Sequence, residues 1–279
     1  GEIHNYLGMD SLYILPFGPQ MLKCPPAVSY GAPRVTDLKE YEAILPLEIP
    51  RANLERFRGD GRAVCWFETI GPFMHTRDLL GIENQLLAFY DKPELVKRMI
   101  QDLTDAYVQE LSRIGEDFKP DYMTFSEDMS YNHGPMISQD IFEGFLGPFY
   151  ERIVPLLKKR NIISMVDSDG FVEPMVPWFE SLGIDGILPM ERQAGCDVNR
   201  IRANHPRCHM LGGFDKMVLH RGETAIRAEF QRLRPAVLSG RFIPSVDHQT
   251  PPAVSLQDYR LYVRLFKEFS EEVAAERNG

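Results

Sequence analysis

Only four cysteines occur among 279 residues. Cys24, Cys65, Cys196 and Cys208 stand far apart with no CxxC pair. That spacing argues against a disulfide framework and a structural zinc module, and it suits a reducing cytoplasm. Basic residues are in the minority. With 31 Lys and Arg against 40 Asp and Glu, the formal net charge is −9, which speaks against nucleic acid or an anionic membrane surface as a partner. No run of about 18 uncharged apolar residues is present, so we expect neither a membrane span nor, without a basic-then-apolar leader, secretion. The chain starts at Gly1 rather than Met, and we expect either a missing upstream segment or a leftover tag scar. No GxGxxG or GxxxxGK[ST] loop follows any apolar run, which removes the usual phosphate cradles.

What is present is a steady alternation. Short apolar runs at "SLYILPF" (11–17), "AVCWFE" (63–68), "DYMTFSE" (121–127), "NIISMVDS" (161–168), "IDGILPM" (184–190), "CHMLGG" (208–213) and "RFIPSVD" (241–247) read as strands. Helical patterns fill 92–114, 138–159, 172–182, 222–238 and 255–275, with Ser138 and Ser255 as N-caps. Strands separated by helices of ten residues or more pair in parallel through crossovers. We therefore expect an α/β fold, a (β/α)8 TIM barrel whose first unit is truncated or degraded, forming a single domain over 1–279 with an excursion at 18–60. A doubly wound open sheet is the second choice.

Barrel chemistry collects where strands end, because side chains there face the open mouth. After the predicted strands come Glu68 with His75 and Arg77; Glu127, Asp128 and Tyr131 with His133; Asp167 and Asp169; Glu191 and Arg192; Phe214, Asp215 and Lys216; and Asp247 with His248. Any one such residue can be a helix cap in a βα loop, whereas recurrence at several strand ends points to a site. Asp167 and Asp169, at alternate positions, can face one ligand, and with His248 they form a candidate set for a divalent metal such as zinc. Alternatively, His248 is a general acid or base tuned by Asp247 or by a carboxylate across the mouth. Our candidate catalytic residues are His248, Glu127 and Asp128. Candidate substrate contacts are His75, Arg77, Tyr131, Glu191, Arg192, Phe214 and Asp215.

Longer stretches carry a resemblance. "GPFMHTRDLLGIENQLLAFYDKPELVKRMI", "SEDMSYNHGPMISQDIFEGFLGPFYERIV", "MVDSDG", "LGIDGILPME", "HMLGGFDK" and "FIPSVDHQTPPAVS" resemble, in order, segments of the uroporphyrinogen decarboxylase superfamily over about 62–270. The resemblance implies a (β/α)8 barrel and one of two chemistries. One is decarboxylation of a tetrapyrrole without a cofactor. The other is methyl transfer between a corrinoid (cobalamin) protein and a small-molecule donor or acceptor, which in thiol-directed relatives uses zinc held by His-x-Cys and a later Cys.

Aligned on those motifs, the His-x-Cys positions fall on Asp167 and Asp169, and the later Cys on His248. That set is harder than the one a thiol-activating zinc prefers. His248 also matches a histidine of the decarboxylases. Their Arg-rich signature, their Phe-Ser-Asp aspartate (expected near "LYILPFGP") and their Tyr after the "GPF" turn, near Asp78, have no counterparts here. The resemblance thus favours a corrinoid-linked methyltransferase, with a corrinoid protein as partner and a homodimer allowed. Tetrapyrrole decarboxylation is the alternative, and a non-catalytic corrinoid- or tetrapyrrole-binding barrel the second alternative.

Overall fold

The computed structural model describes residues 6–7, 9, 13–15, 18, 23–47, 49, 64–114 and 120–279, with backbone alone for 13–15 and 64–68. Seven parallel strands form one sheet: β1 (Tyr13–Leu15), β2 (Val64–Ile70), β3 (Tyr122–Ser126), β4 (Ile163–Asp167), β5 (Gly186–Leu188), β6 (His209–Phe214) and β7 (Phe242–Val246). They neighbour one another in chain order. A doubly wound sheet reverses its strand order at a switch point; here every crossover steps the same way. Right-handed connections of that kind place all helices on one face, so the sheet curls around its other face as in a barrel. Each expected strand is present, and pairing between β1 and β7 is not among the described ladders.

A helix stands where the sequence reading placed a site loop, and a second helix follows it. Strand β2 runs on to Ile70, and the chain enters α1 (Pro72–Leu80) and then α2 (Ile82–Asp91). Pro72 occupies the first turn of α1, where its missing N–H costs nothing. The long amphipathic helix α3 (Pro93–Arg113) follows, burying Leu95, Met99, Leu103, Tyr107 and Leu111 on one face.

The 138–159 pattern is divided. Ser138 caps a short turn by accepting the Ile141 N–H, a wider π turn spans Phe142–Leu146, and α4 (Gly147–Lys159) completes it. The capping box of Ser255 and Asp258 opens α7 (Leu256–Asn278), which packs on α6 (Glu223–Leu238). A helix α5 (Val198–Asn204), started by Asp197, and a ribbon pairing Ser130–Tyr131 with Gly134–Pro135 went unread in the sequence, being too short to show periodicity.

Aromatic residues fill the space between helices and sheet. Phe125 meets Phe149 and Tyr150 edge-on, while Phe214 packs against Phe230 and Tyr262. The strand registers put Ser126 beside Asp167, Asp167 beside Leu188, and Phe214 beside Val246. The carboxyl ends of β3, β4 and β5 are therefore level, as are those of β6 and β7, and the residues that follow emerge at one rim. No described helix is long and apolar enough to cross a membrane.

Candidate active site

At that rim lies a cavity of about 470 Å³. Ile70, Met74, Leu188 and Pro189 supply its apolar wall, and Ser126, Glu127, Asp128, Asp167, Asp169 and His248 its polar one. The residues come from the ends of β2, β3, β4, β5 and β7 and from the first turn of α1, the pattern expected of a barrel mouth.

Glu127 is fully buried. Gly71 caps α1 with no side chain to offer, and Glu127 takes that task from 54 residues away: one carboxylate oxygen accepts the Phe73 N–H at 2.8 Å and the Met74 N–H at 3.2 Å. The Tyr150 hydroxyl donates to the other oxygen. A Cβ on residue 71 would lie 2.3 Å from the Glu127 carboxyl carbon, so glycine is what lets the carboxylate reach the helix end. Burial pushes the Glu127 pKa up to about 7, against the opposing pull of the Tyr150 hydroxyl, the two N–H groups and Arg77.

Asp169 and His248 meet across the mouth, with His248 Nε2 at 2.9 Å from the Asp169 carboxylate. Asp167 stands at the end of β4, where its carbonyl accepts the N–H groups of Glu127 and Asp128. The turn between Asp167 and Gly170 is held at several points. Ser168 accepts the Met129 N–H at 3.1 Å, Ser130 donates to the Asp169 carbonyl, and Glu191 accepts the Gly170 N–H at 2.9 Å. Lys216 in turn bonds Glu191 at 2.8 Å. Asp169 has its pKa raised by burial; His248 opposes that, while Asp128 and Glu191 add to it.

Residues 58–269 match the family model described as uroporphyrinogen decarboxylase (URO-D). The chain belongs to the uroporphyrinogen decarboxylase family. Among solved structures, a methyltransferase from Methanosarcina mazei is similar at 16% identity and a TM-score of 0.61, covering 96% of this chain and 82% of that one. At such identity the likeness concerns the fold. No curated protein matches the chain.

Within this family member, the structure gathers Glu127, Asp128, Asp167, Asp169 and His248 at one cavity. The partner of His248 is Asp169 rather than its neighbour Asp247. The buried Asp247 carboxylate instead accepts the backbone N–H groups of Arg192 at 2.7 Å and Lys216 at 3.2 Å, tying two rim loops together. Arg77 borders the mouth: its guanidinium donates to the Asp128 carbonyl at 2.6 Å and contacts the Asp128 carboxylate at 3.4 Å.

Several expected contacts are corrected. His75 is fully buried in α1 with no hydrogen-bond partner among the described residues, and burial pulls its pKa down to about 4. Phe214 lies in the aromatic core. Asp215 caps the following turn by accepting the Met217 N–H at 2.8 Å. The Arg192 guanidinium turns to the Cys196 carbonyl and Asp197. Tyr131 sits half-exposed on the ribbon beside His133, its backbone against Gly170. Glu191 braces the Asp169–Gly170 turn rather than lining the cavity. The Glu68 side chain lies outside the described residues.

The metal set also fails to assemble. Among the described residues no group of three or more His, Cys, Asp or Glu side chains is placed to hold a metal ion, and Asp169 and His248 bond to each other. As arranged, Asp167, Asp169 and His248 do not fit the zinc that the family resemblance suggested. Lys216, Tyr150 and Gly71 were missed as supports of the site. Lys216 carried a signal, directly following Asp215 at a strand end; Tyr150 carried none, because helix α4 reaches Glu127 only through the tertiary fold.

Proposed function

We propose that this chain is a methyltransferase, moving a methyl group between a corrinoid carried by a partner protein and a small-molecule donor or acceptor. The observation that carries the reading is the lining of the mouth: four carboxyl groups, one imidazole and an apolar wall, with no Lys or Arg among the described lining residues. A polycarboxylate tetrapyrrole would bring its anionic groups against these carboxylates, and like charges at close range repel strongly in a partly dry cavity. Methyl transfer has no such requirement. It is chiefly a matter of holding a nucleophile in line with a methyl carbon.

A corrinoid here is a co-substrate. Beside the mouth lies a second concavity of about 830 Å³, bordered by residues 24–34 with Met74, Arg77, Asp78 and Asp128. Met74 and Asp128 line both hollows, so a large planar group resting in the outer one would stand next to a small molecule in the inner one. His248, oriented through one ring nitrogen by Asp169, is left to exchange a proton through the other with the heteroatom that loses or gains the methyl group. Glu127 fixes the start of α1 and hence Met74.

The deciding experiment follows the absorbance of free cobalamin, methylated or reduced, mixed with the protein and a panel of small methyl donors and acceptors. Protein-dependent change with at least one of them is expected. No change with any, together with loss of carboxyl groups from uroporphyrinogen, would replace this reading by decarboxylation.

A further inference from the structure

Four consecutive strand ends share one ammonium group. Lys216 follows β6, and its Nζ lies 2.8 Å from Glu191, which follows β5, and 4.0 Å from Asp247, which follows β7. Both carboxylates also hold backbone. Glu191 accepts the Gly170 N–H beyond β4 at 2.9 Å, and Asp247 accepts the Arg192 N–H at 2.7 Å and the Lys216 N–H at 3.2 Å. Gly170 directly follows Asp169, and Asp247 directly precedes His248. Each half of the Asp169–His248 pair is therefore anchored one residue away by a carboxylate that faces Lys216.

A lysine in this place is not a solvated surface group. Its side chain is 13% exposed and that of Asp247 is fully buried, and a carboxylate withdrawn from water keeps its charge only beside a cation or several donors. Against burial, the bond from Lys216 and the Gly170 N–H hold the Glu191 carboxyl below its ordinary range. Asp247, raised by burial, is pulled back by the Arg192 and Lys216 N–H groups and by the Lys216 charge. Nor does Lys216 face substrate, since it is absent from the described residues lining the mouth cavity.

We infer that Lys216 is a positioning residue of the site: its ammonium holds Glu191 against the Gly170 N–H and thereby holds Asp169 within hydrogen-bond reach of His248. Only its effect on rate rests on the methyl-transfer reading. Without the cation, Glu191 takes up a proton or turns to water. The Gly170 N–H then loses its acceptor, and Asp169 moves away from the imidazole.

Nitrogen NMR of the imidazole rings in the full chain, with the His248 signals identified by their absence from His248→Ala, tests this without substrate or corrinoid. Lys216→Met is expected to shift the His248 ring signals. Adding Glu191→Gln to that variant is expected to bring them back, because a neutral amide oxygen accepts the Gly170 N–H with no cation beside it. Unchanged signals in Lys216→Met overturn the inference, and so does a shift that Glu191→Gln leaves in place, since Lys216 then acts by another route. Glu191→Ala removes the same clamp while sparing Lys216 and is expected to shift the signals too; unchanged signals there overturn the inference even where Lys216→Met does not fold. In methyl transfer to cobalamin, Lys216→Met should lose up to about 100-fold in rate, and the double variant should recover. No transfer by the parent protein from any donor would sink the proposed function and leave the imidazole result standing. Transfer by the parent with His248 signals indifferent to Lys216→Met would do the reverse.

Discussion

Glu127 shows one carboxyl group serving two masters. It closes the amino end of α1 through two N–H groups and also faces the cavity. Its pKa is raised from 4.5 to about 7 by burial, so the folded state holds this proton where the unfolded state has released it. Stability from this group is therefore greatest at low pH and falls as pH rises from about 4.5 through about 7, by about 3 kcal/mol at most. Glu127→Gln keeps an acceptor for α1 and removes the titration. Urea unfolding across that window should show a downward slope in the parent protein that flattens in the variant; parallel curves would contradict the assignment. At the same scale, His248→Ala should lower methyl transfer to cobalamin by about 100-fold, the usual worth of a positioned acid or base, with the circular dichroism spectrum unchanged. Full activity would remove His248 from the chemistry.

The elements succeed or fail at their joints. The β4 end turns at Gly170, which has φ +81° and whose added Cβ would stand 2.6 Å from the Tyr131 backbone. A side chain there meets both a left-handed conformation and an unyielding neighbour. Gly170→Ala should cost about 3 kcal/mol in denaturant unfolding, and because Asp169 is the preceding residue and holds His248, the surviving folded protein should lose methyl transfer to cobalamin as well. Strand ends, crossovers and the long helices were legible in the sequence, since apolar periodicity and Ser caps are local signals. Helices α1 and α2 were not. The "GPF" turn reads like a loop, and the carboxylate that caps α1 lies far along the chain. His75 was misplaced for the same reason: polarity in sequence suggested exposure, while its helix faces it inward.

Across the whole molecule, net charge and local charge agree. The chain is acidic overall, and the rim concentrates carboxylates at one cavity. Attraction of cations and repulsion of polyanions follow at long range as well as at contact. Incubation with uroporphyrinogen should accordingly leave it unconsumed, as judged by chromatographic separation of its carboxylated products after oxidation to porphyrins. Stepwise decarboxylation there would restore the family's namesake reaction.

By itself the sequence determined the parallel α/β architecture, the family, the acidic character and the identity of the strand-end residues, because each is encoded in contiguous patterning or in composition. Tertiary structure alone decided which of those residues meet. Asp169 and His248 are 79 positions apart and bond; adjacent Asp247 and His248 divide between a buried brace and the mouth. Alternate side chains leaving a strand end face different surroundings, and only the packing of strands and helices around the curled sheet fixes what each will touch.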